Sequence, residues 1–152
     1  MIALACDHGG FDLMQVVKKH LGDNGYTYKD FGAYSAESCD YPDTAIVAAR
    51  AITEGDCDRG VFICGTGIGM TIVANKIPGI RAAPCHDCYT AQMARRHNDA
   101  NVLTLGARVV AADLALSIVD VFLNTKFDGG RHARRVEMIN KLDDSRGLGN
   151  RE

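Results

Sequence analysis

The run Val61-Phe62-Ile63-Cys64 stays apolar to its end, and Gly65-Thr66-Gly67-Ile68-Gly69 follows it directly. Three glycines within five positions let the backbone turn sharply and present several N–H groups in one direction. Such a nest holds a phosphate, or the oxyanion that develops when a carbonyl is enolised. A thiol at its mouth, where a helix must begin, has its thiolate stabilised, which suits a nucleophile or a proton acceptor. The competing reading is a small buried hydrophobe at a strand end. Met70 narrows the chemistry, because a dinucleotide fingerprint needs glycine at that place and a cysteine-dependent phosphatase loop needs arginine.

Other residues of the same kind are spread along the chain. Asp7 and His8 precede Gly9-Gly10, an anion-friendly turn in which Asp7 reads equally well as a helix N-cap. His97-Asn98-Asp99 falls where a helix carrying Met93 and Arg96 runs out. A histidine aimed from there at a crevice moves a proton near neutral pH, and Asn98 beside it can bond a hydroxyl or carbonyl oxygen. Arg108 is a cation placed beyond a strand. Helical winding puts Arg131 and Arg135 on one side with Val136, Met138, Ile139 and Leu142, so both arginines are expected to face inward. Buried guanidinium groups need an anion, which makes the pair a phosphate clamp or one half of a salt bridge across an interface. His20, with no partner near it in sequence, reads as structural.

Composition excludes several classes. The chain has 152 residues, 47% hydrophobic and 24% charged, which fits one globular domain with a full core. A net charge of -2 without long runs of one sign argues against a nucleic-acid or membrane footprint. No apolar stretch reaches about 18 residues and the first residues do not read as a secretion signal, so a soluble, cytoplasmic protein is expected. The six cysteines at 6, 39, 57, 64, 85 and 88 therefore read as reduced thiols. Cys85-His86-Asp87-Cys88 is a lone C-x-x-C without a second pair of ligands, and no metal is expected.

The elements that must position these residues alternate regularly. Apolar runs at 2–6, 26–31, 59–64, 81–85 and 101–105 read as strands. Helical spacing appears between the first two, through Leu13, Val16, Val17 and Leu21, and again from Pro42 through Ala45, Ile46, Ala49 and Ile52. Residues 67–76, 87–97, 112–124 and 131–143 complete the helices. The pattern predicts an α/β fold, a doubly wound, Rossmann-like three-layer sandwich around a five-stranded parallel sheet. One domain is expected over 1–143, with a flexible tail over 144–152.

Taken in order, the blocks Cys6-Asp7-His8-Gly9-Gly10, Asp40-Tyr41-Pro42, Ile63 to Gly69, Ala74-Asn75-Lys76, Gly79-Ile80-Arg81-Ala82, His97 to Asn101, Gly106 to Val110 and Gly129-Gly130-Arg131-His132 resemble the ribose-5-phosphate isomerase B family and its galactose-6-phosphate isomerase relatives. The resemblance implies an aldose–ketose isomerase that moves a proton between C1 and C2 of a sugar phosphate through an enediolate, without metal or other cofactor. It implies Cys64 as the base, in a loop with Thr66, and His97 as the group that opens the furanose ring. Asp7 and His8 would contact the sugar phosphate, Gly65, Thr66, Gly67, Ile68 and Gly69 would offer N–H groups to the enediolate oxygens, and Asn98 would bind beside them. Arg108, Arg131 and Arg135 would hold the phosphate. A homodimer with sites between subunits, or a tetramer built from it, is implied as well. A six-carbon sugar phosphate, a free rare sugar or a non-catalytic phosphosugar-binding module remain the alternatives.

Overall fold

A computed structural model describes residues 1–148, with side chains to Asp143. Its strands are β1 (Ile2–Cys6), β2 (Tyr28–Asp30), β3 (Arg59–Cys64), β4 (Ala82–Pro84) and β5 (Val102–Gly106). Its helices are α1 (Phe11–Asp23), α2 (Tyr41–Thr53), α3 (Ile68–Ala74), α4 (Cys88–Asn98), α5 (Ala112–Asn124) and α6 (Arg131–Leu148), with a 3₁₀ turn at His8–Gly10 before α1. The strands form one sheet in the order β2-β1-β3-β5-β4, every neighbouring pair parallel.

Alternation along the strands builds two apolar layers. Ile2, Leu4 and Cys6 of β1, with Val61, Ile63, Leu103 and Leu105, pack against Leu13, Met14 and Val17 of α1, Ala91 and Ala94 of α4, and Ile118, Val119 and Phe122 of α5. The opposite face sets Ala3, Ala5, Phe62, Cys64 and Val102 against Ala45, Ala49 and Ile52 of α2 and Met70 and Ala74 of α3. Each fully buried large side chain among them contributes roughly 1.5–3 kcal/mol. The expected three layers are thus present. The edge strands are shorter than their apolar runs, since β2 and β4 have a partner on one side only.

Two consequences bear on function. The chain winds outward from β1 to β2 and then crosses to β3, so the carboxyl ends of β1 and β3 flank the point where winding reverses. The last helix also runs to Leu148, past the expected boundary at 143, while 149–152 lie outside the described residues. Among the described residues, no helix is long and apolar enough to cross a membrane.

Candidate active site

Cys64 ends β3 at that reversal point, and Asp7 follows β1 beside it, its N–H donating to the Ile63 carbonyl at 3.2 Å. The Cys64 side chain is buried, and its Sγ accepts the N–H of Gly67 at 3.1 Å. That contact fixes the direction of the sulfur at the mouth of the loop. Gly67 adopts φ 79, and a Cβ there would stand 3.0 Å from the Leu105 carbonyl carbon, so this turn admits glycine on both counts. Thr71 Oγ1 donates to Gly67 O at 2.8 Å, and the Ala107 and Arg108 N–H groups bond Cys64 O and Gly65 O at 2.9 and 3.0 Å. The loop is thereby tied to the end of β5.

The expected neighbours assemble around it. Asp7 Oδ1 accepts the Gly10 N–H at 3.0 Å, so its capping reading is realised, and Gly10 lies so close to Ile63 that a Cβ would come within 2.4 Å of the carbonyl oxygen. His8 is exposed, with Nδ1 accepting the Cys39 N–H at 3.3 Å. Thr66 Oγ1 accepts from the Ile68 N–H at 3.3 Å. The Arg108 guanidinium lies 3.5 Å from where a Gly65 Cβ would be. Tyr41, given no role by sequence reasoning, lies against Gly69, where a Cβ would meet its ring at 2.8 Å.

Two further thiols, Cys6 and Cys85, lie at or just past strand ends. Cys6 ends β1, paired in register with Ile63, yet burial pushes its thiol up to about 11 against the smaller opposing effect of its contact with Ala33 O. Burial likewise raises Cys85 to about 11. Both stay protonated near neutral pH and behave as small hydrophobes.

His97, Asn98, Arg131 and Arg135 do not join this group, contrary to the expectation that His97 points into the same crevice. Parallel topology is the reason. Helix α4 leaves the carboxyl end of β4 and returns to the amino end of β5, so its last residues lie at the opposite edge of the sheet. Cys64 pairs with Gly106 and Gly60 with Val102, so about 13 Å of strand separates the two edges. The inward orientation of Arg131 and Arg135 is also corrected. Both are exposed, as are Met138, Ile139 and Leu142, because α6 buries a narrow stripe, only His132 and Val136 among its described side chains.

The amino edge is nonetheless organised. The His97 and His132 rings stack with centroids 4.2 Å apart and planes inclined by 5°. Arg131 Nε donates to His132 Nε2 at 3.5 Å, and Arg96 Nε reaches both Asp128 oxygens at 3.1 and 3.0 Å. Burial first, then the charges of His97, Arg131 and Arg135, hold His132 below the ordinary histidine range, so it is neutral and acts as an acceptor. His97, Asp128 and His132 place ligand-type atoms within 4.8 Å of one another. Parallel stacked imidazoles direct their lone pairs side by side instead of at one point, and Arg96 engages the carboxylate, so the trio fits a metal poorly.

A groove of about 420 Å³ opens at this edge between β4 and α6, lined by Arg81, Pro84, Asn98, Ile139 and Leu142 among others, and it does not include Cys64. His132, Asp128 and Tyr41 escaped functional assignment from sequence. The available signal was their place beside residues already singled out, next to Arg131, before Gly129-Gly130, and ahead of Pro42.

The chain is similar to known proteins along most of its length. Residues 2–139 match the family model described as Ribose/Galactose Isomerase. The chain is 47% identical to ribose-5-phosphate isomerase B of Escherichia coli (strain K12), covering 95% of this chain and 97% of that one. It is 46% identical to the D-erythrulose-4-phosphate isomerase of Pectobacterium atrosepticum, over 91% of each. The solved ribose-5-phosphate isomerase B of Clostridium thermocellum superposes with a TM-score of 0.94 at 51% identity, covering 95% and 98% of the two chains. With a match across most of its length and a thiol held at the winding reversal of its sheet, the chain belongs to the ribose/galactose isomerase family.

Proposed function

We propose that the protein is an aldose–ketose isomerase interconverting D-ribose 5-phosphate and D-ribulose 5-phosphate, without metal, in a homodimer whose sites lie between copies. The observation that carries this reading is the Gly67 N–H bonded to Cys64 Sγ at 3.1 Å, beside a glycine-rich loop. His97 opens the furanose by exchanging protons with the ring oxygen and the anomeric hydroxyl. The Cys64 thiolate then takes the C2 proton, the C–H electron pair becomes the C1–C2 double bond, and the carbonyl oxygen takes the charge. Backbone N–H groups of residues 65–69, with Thr66, stabilise that oxygen; losing one such donor costs about 3 kcal/mol, roughly a hundredfold in rate. A proton moves from O2 to O1, and the thiol returns its proton to C1. Asp7, His8 and Asn98 orient the sugar, and Arg108, Arg131 and Arg135 hold the phosphate.

The separation of the two edges supports the dimer. One copy's crevice holds Cys64, its own His97 lies at the opposite edge of the sheet, and a second copy can bring its amino edge to the first one's crevice. Such a phosphorylated substrate does not cross membranes, which supports a cytoplasmic enzyme of pentose phosphate metabolism. Sugar length is the least constrained element, since a relative of 46% identity is named for a four-carbon phosphate. A six-carbon phosphate or a free sugar would need the same chemistry with a different pocket wall.

Turnover of ribose 5-phosphate by metal-free protein tests the proposal, beside Cys64→Ala and a panel of four-, five- and six-carbon phosphates. Fast turnover of the pentose, lost in the variant, is expected. Turnover confined to another sugar length overturns the substrate. Binding without exchange of the substrate's C2 proton with solvent deuterium makes the protein a phosphosugar-binding module instead.

A further inference from the structure

Arg81 opens the approach to β4, outside every group assigned above, and its guanidinium joins three elements at once. Its Nε donates to Asn98 O at 3.1 Å and Asp99 O at 3.2 Å, and Nη2 donates to Asp99 O at 2.9 Å. Nη2 also meets Asp99 Oδ2 at 3.3 Å, while Nη1 donates to Asn140 Oδ1 of α6 at 3.1 Å. Among the described residues, Asp99 is the one non-glycine with positive φ, at 45, and its second oxygen pairs with buried Arg95 Nη1 at 2.8 Å. The end of α4 is thus held in a left-handed turn by two arginines, and one of them also grips α6.

Those two helices carry His97 and Asn98 on one side and Arg131, His132 and Arg135 on the other. We infer that Arg81, with Asp99 and Asn140, is a positioning clamp that holds the ring-opening histidine and the phosphate arginines as one rigid unit, to be presented to the crevice of a second copy. The inference rests on the proposed intersubunit site. The clamp's value lies in geometry: a proton-transfer group displaced by about 1 Å costs on the order of a hundredfold. A planar fork spanning four acceptors restricts both helices, which one ammonium cannot do.

Complementation separates this role from general support of the fold. Arg81→Ala is expected to lower kcat/KM for ribose 5-phosphate by at least about tenfold. Arg81→Lys, which keeps the charge and stem, should fold and yet fall nearly as far. Asn140→Ala cuts only the tie to α6, and should raise KM severalfold with kcat nearly unchanged. Co-expressing Arg81→Ala with Cys64→Ala lets a crevice with intact Cys64 meet an amino edge with an intact clamp. Random assembly then restores about a quarter of wild-type activity, whether dimers pair further or not.

Wild-type kcat/KM in both Arg81 variants overturns the clamp. So does a lack of recovery in that mixture when Cys64→Ala co-expressed with His97→Ala does recover, because Arg81 then serves its own chain. If neither mixture recovers while each variant folds, the intersubunit reading fails first. Should Arg81→Ala not fold, Arg81→Lys takes its place in the mixture, and an unchanged KM for Asn140→Ala contradicts the grip on α6.

Discussion

The two edges of the sheet prepare their groups by different means. At the carboxyl edge the candidate group is one thiol bonded by a backbone N–H, beside glycines that accept no side chain, at Gly10 against Ile63 and at Gly67 against Leu105. At the amino edge it is side chains on helix ends, the stacked His97 and His132 and the exposed Arg131 and Arg135, ordered by ion pairs among Arg81, Arg95, Arg96, Asp99 and Asp128. The first arrangement is built into the strand-to-helix turn and leaves little to adjust. The second depends on hydrogen bonds between surface elements, so it can be altered without disturbing the core. Damage at the first edge should abolish the chemical step, and damage at the second should change which substrate form is processed and how tightly it is held.

The largest expected effect is therefore at Cys64. Cys64→Ala should lower kcat about a thousandfold with the fold intact, whereas Cys6→Ala, at the matching end of the neighbouring strand, should cost stability with kcat retained. Steady-state kinetics alongside thermal unfolding checks both, and similar kcat losses in the two variants would erase the distinction between the thiols. Next, His97→Ala should cut turnover of ribose 5-phosphate about a hundredfold. It should spare solvent exchange at C1 of ribulose 5-phosphate, which is already open-chain, and equal losses in the two assays would remove His97 from ring opening.

Gly67→Ala comes third and should cost about 1–3 kcal/mol in unfolding free energy, since it forces a Cβ into a positive-φ site against β5. An unchanged unfolding midpoint would mean that the loop has room to relax. The smallest effect concerns pH. Folded His132 resists protonation because of its burial and neighbouring cations, whereas the unfolded chain takes up that proton near pH 6.5. Stability should consequently fall as pH drops from the ordinary histidine value toward the lower native one. His132→Asn should flatten that slope in unfolding scans from pH 7.5 to 5.5.

The carboxyl edge was legible in the sequence because its signals are local. An apolar run, a cysteine and a glycine loop occupy nine consecutive residues, Val61 to Gly69, and the alternation of strands and helices predicts where they lie in the sheet. The amino edge was legible only as residue types. That a helix end lies opposite a strand end follows from the direction of α4, and the expectation that His97 is aimed at the crevice beyond the strand ends overlooked it. Winding alone also misjudged α6, because a helix that buries only His132 and Val136 among its described side chains presents a narrower stripe than its apolar pattern suggests. Contacts such as Arg81 with Asn140, or His20 Nε2 with Asp120 at 2.7 Å, join residues too distant in sequence for any local pattern to pair them.

The central claim is that each site combines the carboxyl edge of one copy with the amino edge of another. The most direct test co-expresses Cys64→Ala and His97→Ala, each nearly inactive alone, and measures ribose 5-phosphate turnover in the purified mixture. Recovery of about a quarter of wild-type activity is predicted, because that fraction of sites receives both an intact thiol and an intact histidine. Activity no greater than the mean of the two separate variants, in a mixture shown to contain hybrids, would contradict the account.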